Sequence, residues 1–392
     1  MSPVMFYIGL PDYEVLWVNS KRSRTLIKVA TKLAPECPCC GGTKLSSRGR
    51  CDRRVRHLNC FKDEVELEVV RRRYRCMGCL KTFNQALPGI GKGRRFTEPY
   101  LEKLYQDHED GISAKRLAER EGVGQATVSR NYNRFTQLKA RERTRQECPA
   151  VLGIDEHTLH RNGKYVTTFC DLRRHKVFDV AEGRSASELK SYLEGLKGRH
   201  KVRVICIDMS NPYRALIKRY FRNAIIVSDR FHVVRLVMHH FTEQAKVLHE
   251  EIKHKRGLMR ALRKRPEKLT ERQKQMLQDL FECFPAIKIL YDKMRQICDL
   301  MNLKGQARSS CKQHIQTFYK HIDDLKDTPF EHLHKLAKSL SSWAEPIGSM
   351  WRFRKNNSIT EGFHRKMKLI QRRAYGFRNF NNYRLRVIAQ CG

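Results

Sequence analysis

The clearest alternation of apolar and polar positions lies at residues 64–73, EVELEVVRRR, where Val65, Leu67 and Val69 alternate with Glu64, Glu66 and Glu68. A period of two places these sets on opposite faces of one strand. Three further runs, 151–154, 165–170 and 176–180, are rich in β-branched and aromatic residues. They are separated by Arg161-Asn162-Gly163-Lys164 and by Arg173-Arg174-His175. Asn-Gly accepts the positive φ angles of a tight hairpin, so the segment predicts three consecutive strands. Buried-strand runs recur at 201–207 and 224–228. Helical spacing predicts helices near 187–196, 214–221, 231–255, 270–284, 287–301, 307–325 and 331–343. A last helix follows Asn356-Asn357-Ser358 and runs to 374, with Ile359, Phe363, Met367, Ile370 and Ala374 as its buried stripe. From 151 onward the order is β-β-β-α-β-α-β-α, that of an α/β RNase H-like domain, with a large all-α insertion at 231–350.

Residues 91–147 read as a helix-turn-helix domain. Thr97-Glu98-Pro99 opens a helix to about residue 110, a second covers 113–120, Glu121-Gly122-Val123-Gly124 is a turn, and a third covers 125–134. Leu117, Ala118, Val123 and Val128 form its expected core. Gln125, Thr127, Ser129, Arg130 and Arg134 form the expected outward face of the third helix, suited to base edges and phosphates. An ordinary three-helix linker is the competing reading.

Charge strengthens the DNA reading. Lys plus Arg number 79 against 41 Asp plus Glu, a formal +38, which favours a polyanionic partner. Nucleic acid comes first and a membrane surface second; no run of about 18 apolar residues predicts a membrane span. The N-terminus is a poor secretory signal. Of the 14 cysteines, four form two CxxC pairs, Cys37/Cys40 and Cys76/Cys79. Four thiolates are the set a closed tetrahedral Zn²⁺ site needs, so residues 37–90 predict a zinc ribbon with one structural ion and with the strand at 64–73 holding the knuckles together. Cys39 rivals Cys37 or Cys40, and Cys51, His57 and Cys60 lie in the intervening loop. Residues 1–36 carry little signal.

Four acids invite a chemical role. Asp155 ends the first apolar strand where a hairpin rather than a helix follows, so capping does not explain it; a salt-bridged acid is the bland alternative. Asp208 ends the strand at 201–207, and since Asn211 before Pro212 is the natural helix cap, Asp208 is spare at a strand's carboxyl end. Asp229 precedes a helix and is either its N-cap or a functional rival to Asp208. Glu361 shares a helix face with Arg365, Lys368 and Arg372, which reads either as a solvated surface or as a metal-binding acid flanked by phosphate-gripping cations. The tail at 372–384 interleaves aromatics with arginines, a composition suited to stacking and phosphate contact.

GIDEH at 153–157, VICIDMSNPYR at 204–214, IIVSDRFHVVRLV at 225–237 and SITEGFHRKMKLIQRRAYGFRNF at 358–380, with the two knuckles and the helix-turn-helix before them, resemble the ISL3 family of bacterial insertion-sequence transposases. The resemblance implies a DDE transposase whose Asp155, Asp208 and Glu361 hold two Mg²⁺ (or Mn²⁺) ions. It implies binding of terminal inverted repeats, cleavage of the element ends and strand transfer into target DNA, by at least a dimer on DNA in the bacterial cytoplasm, associated with the nucleoid. A catalytically inactive DNA-binding regulator derived from a transposase is the alternative; a nuclease that cuts without joining is a third reading. The expected domains are an extension at 1–36, the ribbon at 37–90, the helix-turn-helix at 91–147, the catalytic domain at 148–230 and 351–392, and the insertion between them.

Overall fold

A computed structural model describes residues 8–144, 146–159, 163–303, 308–353 and 357–392. The chain divides into two compact units, and the division falls between Leu138 and Lys139.

The first unit contains β1 (Tyr13–Lys21), β2 (Arg24–Thr31), β3 (Leu45–Arg50), β4 (Arg53–Arg56), β5 (Glu64–Val70), β6 (Arg72–Cys76) and β7 (Thr82–Asn84), in two sheets ordered β1-β2-β5-β4 and β3-β6-β7. The expected strand at 64–73 is therefore two strands, and its alternating half is not the one that carries the knuckles. Val65, Leu67 and Val69 on β5 pack with Ile27 and Val29 of β2 into a core shared with Val55 and Tyr13. Residues expected to carry little signal thus supply two of the four strands. β2 runs parallel to β5, a pairing between segments 40 residues apart (Lys28 beside Glu68) that local spacing does not encode. The ion pair of Lys28 with Glu68, 2.6 Å, reinforces that register.

α1 (Glu98–Glu109), α2 (Ala114–Glu121) and α3 (Gln125–Thr144) follow. Thr97 and Ser113 cap the first two through their side chains, as their sequence positions require. Gly122 closes α2 in the left-handed region, φ 62°. Leu117, Ala118 and Val128 are buried against Tyr100, Leu101 and Leu104, with Val123 packed beside them. α3 runs ten residues beyond its expected end at 134, to Thr144.

In the second unit β8 (Val151–Thr158), β9 (Tyr165–Asp171) and β10 (Lys176–Glu182) form an antiparallel meander. α4 (Ala186–Gly195), β11 (Val204–Ile207), α5 (Asn211–Tyr220) and β12 (Ile225–Ser228) complete a five-stranded sheet ordered β10-β9-β8-β11-β12, in which β11 runs parallel to both β8 and β12. Arg161 and Asn162 of the expected hairpin turn lie outside the described residues; Gly163 has φ 83°. α6 (Arg230–Leu248), α7 (Arg256–Arg263), α8 (Glu271–Cys283), α9 (Pro285–Asn302), α10 (Cys311–Lys326), α11 (Glu331–Ser342) and α12 (Ala344–Phe353) make the helical region, and α13 (Ser358–Arg373) and α14 (Phe380–Cys391) end the chain. Ala307, the expected start of one helix, lies outside the described residues. Asn211 is the first residue of α5 rather than its cap; Ser210 holds the cap position without a side-chain hydrogen bond.

The tail departs most from expectation. Its rings are not free to stack: Tyr383 is fully buried, Phe377 is buried, and the Arg384 guanidinium clamps Asp179 of β10 with contacts of 2.7 and 2.6 Å. Tyr383, Val387 and Cys391 of α14 join the principal apolar core of the second unit, and Ile388 is buried beside them in the chain. The second half of the segment read as suited to stacking and phosphate contact is thus a packed helix. Tyr375 alone among the tail's rings stands 93% exposed.

Candidate active site

Strand alternation separates the two adjacent acids of β8. Glu156 faces α5, where its carboxylate accepts from the Tyr213 hydroxyl at 3.2 Å and pairs with Arg184 at 3.5 Å. Asp155 points to the other face, beneath α13. In the parallel pairing of β8 and β11, Cys206 lies beside Gly153. Two residues further on, the strands bring Asp208 level with Asp155. Ile207 lies beside Ser228, so Asp229, the residue after β12, follows at the same level. Asp208 and Asp229 therefore follow the carboxyl ends of β11 and β12, where ligands of open α/β sheets bind, level with Asp155 inside β8, which continues to Thr158 rather than ending at the acid.

Burial sets their electrostatics. It pushes Asp155 up to about 6, helped by the negative charges of Asp208 and Asp229 and opposed by the Glu156 N–H and by His232. Asp208 is also raised, by burial first and then by Glu156 and Asp229, against the pull of His232 and the Ser210 N–H. Carboxylates crowded together and largely withdrawn from water form a donor set that a divalent cation would relieve; Mg²⁺ and Mn²⁺ favour such oxygen ligands.

Asp229 has a different environment. It occupies the cap position of α6 but makes no side-chain cap hydrogen bond. Its Oδ1 instead accepts from the Asn357 backbone N–H at 3.2 Å, and its Oδ2 lies 3.7 Å from His232. It is 2% exposed, whereas Asp208 is half-buried.

The start of α13 is tied to the sheet. Asn357 Nδ2 donates to the Ile154 carbonyl at 3.2 Å, and Thr360 Oγ1 donates to Asn357 Oδ1. A Cβ on Gly153 would come within 2.3 Å of Asn357 Oδ1 and 2.8 Å of a Leu172 methyl. Only glycine lets the helix approach β8 this closely. Gly153→Ala should destabilise the second unit by about 1–3 kcal/mol, the usual cost of overpacking. Urea titration checks this, and an unchanged midpoint would mean that the helix yields without cost.

Glu361 sits half-buried in the first turn of α13. Among the described residues only the four knuckle cysteines form a group of three or more ligands within 4.8 Å of one another; the carboxylates of Asp155, Asp208 and Glu361 do not close to that distance. The α13 side chain that does reach Asp155 is His364, one turn beyond Glu361, with Nδ1 3.8 Å from Asp155 Oδ2. The His364 Nε2 and His157 Nδ1 each share a 3.2 Å hydrogen bond with the Thr168 hydroxyl, and His157 Nε2 meets the Tyr383 hydroxyl at 2.7 Å. His157, Thr168, Asn357 and His364 were not among the residues singled out from sequence. Their one legible signal is position: Thr168 lies opposite Asp155 in the hairpin, and His364 follows Glu361 by three. Arg365, Lys368 and Arg372 are exposed along α13.

In the first unit Cys37 and Cys79 bring their sulfurs to 3.5 Å, as do Cys40 and Cys76, and all four lie within 4.8 Å of one another. The N–H groups of Cys39 and then Cys40 point at the Cys37 sulfur and pull its thiol down to about 6, toward the thiolate a metal requires. Cys39 is exposed and outside the cluster, as is Cys51. His57 is no ligand either: its ring is buried between Thr97 Oγ1 at 2.9 Å and the Ile8 carbonyl at 2.8 Å.

Comparison with known proteins gives this geometry its setting. Residues 152–387, more than half of the chain, match the ISL3 transposase family. The chain is a member of the ISL3 transposase family. Residues 34–79 match the zinc-finger of transposases IS204, IS1001, IS1096 and IS1165, which agrees with a structural zinc on the four cysteines. The transposase for insertion sequence element IS1001 of Bordetella parapertussis is 26% identical over 371 residues, covering 90% of this chain and 88% of that protein. As a transposase of an insertion sequence, the protein has DNA as its partner. Among its described residues no helix is long and apolar enough to cross a membrane.

Proposed function

We propose that this transposase cuts the ends of its element and joins them to target DNA with Asp155, Asp208 and Glu361 as the acids of an RNase H-like catalytic domain. The observation that carries the reading is the register of β8 and β11, which brings two half-buried carboxylates of raised proton affinity level with each other. The sheet order, a three-stranded meander extended by two parallel strands, supports the RNase H-like assignment. Asp208 is favoured over Asp229 because Asp229 is committed to the backbone of Asn357. Asp229 then anchors α13, and Glu361 is delivered by that helix.

Asp155, Asp208 and Glu361 would hold the divalent ions, whose charge would offset that building on the scissile phosphate and would favour deprotonation of the attacking water or 3′-OH. The chain's own residues do the rest. Asp155 and Asp208 hold their oxygens in fixed register, Asn357 and Gly153 keep α13 close, and Arg365, Lys368 and Arg372 face solvent beside Glu361 to grip the flanking phosphates. A Mg²⁺-dependent assay on DNA carrying the element ends tests the reading. Cleavage followed by joining supports it, binding without cutting identifies an inactive regulator, and cutting without joining identifies a nuclease.

The three helices α1–α3 are proposed to read the terminal repeats as a helix-turn-helix unit. Gln125, Ser129 and Arg130 are exposed on α3 and Thr127 is half-exposed, whereas Arg134 is drawn back by Glu98 in a two-pronged pair of 2.7 and 3.3 Å. Arg130→Ala should therefore weaken binding to the ends by about 1–3 kcal/mol, the range of a base contact. Arg134→Ala should cost less, because its charge is already paired. A binding titration at fixed salt checks the order, and a larger loss at Arg134 would reverse the assignment. Pairing two ends for one reaction calls for at least two copies of the chain on DNA.

A further inference from the structure

We infer that His364 is a ligand of the divalent-ion site, and that its nitrogen makes the site prefer Mn²⁺ over Mg²⁺. The inference rests on the reading of Asp155 as a metal-binding acid and extends it to a side chain of different chemistry.

The geometry distinguishes His364 from its neighbour His157. Both ring nitrogens of His157 are engaged, Nδ1 by Thr168 and Nε2 by Tyr383. His364 is held at one nitrogen only: Nε2 shares the Thr168 hydroxyl, which fixes the ring, and Nδ1 is turned to Asp155 Oδ2 at 3.8 Å. That separation exceeds a hydrogen bond. It fits two donors on one ion: atoms each about 2.1 Å from a metal lie about 3 Å apart at a right angle and about 4.2 Å apart when opposite. The other carboxylate oxygen is also fixed, since Asp155 Oδ1 accepts from the Glu156 N–H at 2.8 Å. A ligating imidazole whose far nitrogen is held by a hydrogen bond is the usual arrangement at metal sites.

Spacing points the same way. Glu361-Gly362-Phe363-His364 offers a carboxylate and an imidazole at i and i+3 of one helix, the pairing with which helical proteins build di-iron and di-manganese sites. The His364 side chain is only 12% exposed, so it is not a solvent-facing residue. Oxygen donors alone suit Mg²⁺; an imidazole nitrogen shifts preference toward Mn²⁺ and later first-row ions.

The test uses the zinc-replete full-length protein, with Mn²⁺ and Mg²⁺ as the probes. Pulsed electron paramagnetic resonance of bound Mn²⁺, on protein carrying ¹⁵N-histidine, should show a directly coordinated nitrogen. His364→Ala should remove that coupling and raise the Mn²⁺ dissociation constant at least about tenfold, the loss that even an outer-shell partner can cause. Mg²⁺ binding should change much less. Because His232 also faces these acids, the assignment needs a variant: where His364→Ala folds poorly, the milder His364→Gln takes its place, and coupling that survives it, or that His232→Ala removes instead, overturns the inference. Mn²⁺ binding that Asp155→Ala abolishes, but without nitrogen coupling, overturns the His364 inference and leaves the acids standing. Mn²⁺ binding indifferent to Asp155→Ala, or no binding at all, overturns both.

Discussion

In Mg²⁺-free buffer, Asp155→Asn should make the second unit more stable at pH 7.5 than the native chain; with Mg²⁺ supplied, its strand transfer should fall by at least about 10³-fold. The two effects have one cause. Burial and the neighbouring charges of Asp208 and Asp229 lift the Asp155 proton affinity from 3.8 to about 6. The folded state therefore binds the proton more tightly than the unfolded chain does. The stability this provides is fully present below about pH 4 and is lost as the pH rises through about 6. Two pH units correspond to about 3 kcal/mol. The side chain is only 15% exposed, so solvent screening removes little of it. Asparagine keeps an oxygen for the Glu156 N–H without bringing a charge. Urea titrations should show the gap at pH 7.5 and its shrinkage toward pH 4.5, and Mg²⁺ should stabilise only the native chain. The loss of activity follows because a metal ligand contributes several kcal/mol to the transition state, and about 4 kcal/mol is a thousandfold in rate. Equal stability at both pH values would mean that Asp155 is solvated, and retained joining would remove it from the chemistry.

How much of this was legible in the residues depends on the range over which each feature is encoded. The start of α1 at Thr97 was readable because a cap and its partner lie within a turn. The strands at 151–180 were readable because hairpin pairing is local. The parallel pairing of β2 with β5 was not, since neither strand's pattern names its neighbour. The tail misled for a related reason. Aromatics interleaved with arginines are the same composition whether they meet nucleobases or a sheet, and only the spacing of Tyr383, Val387, Ile388 and Cys391 betrays a helix with one apolar face. At the site, Asp155 and Asp208 could be picked out as acids following apolar strand runs. Asn357 and His364 could not, because their roles exist only once α13 lies across β8.

Zinc removal should open the ribbon of the first unit and leave the second unit folded. Four sulfurs within 4.8 Å of one another, two pairs of them at 3.5 Å, approach the edges of about 3.8 Å of a tetrahedron with metal–sulfur bonds of about 2.3 Å. The strands that carry them are short: β7 has three residues and β6 has five. Neither β3 nor β7 contributes a residue to the principal apolar core of that unit, which is built on β2 and β5. Little besides the metal thus closes the ribbon, and structural zinc contributes about 10–16 kcal/mol of apparent binding energy in comparable small sites. A chelator, or Cys76→Ser, should release one equivalent of zinc and expose the amides of β3, β6 and β7 to hydrogen exchange. The sheet of β8 to β12, with its own extensive core, should keep its protection. Cys39→Ser and Cys51→Ser should leave the zinc content unchanged, because neither sulfur belongs to the cluster. If the amides of β3, β6 and β7 stayed protected without zinc, the ribbon would be held by its packing and the metal would be an accessory.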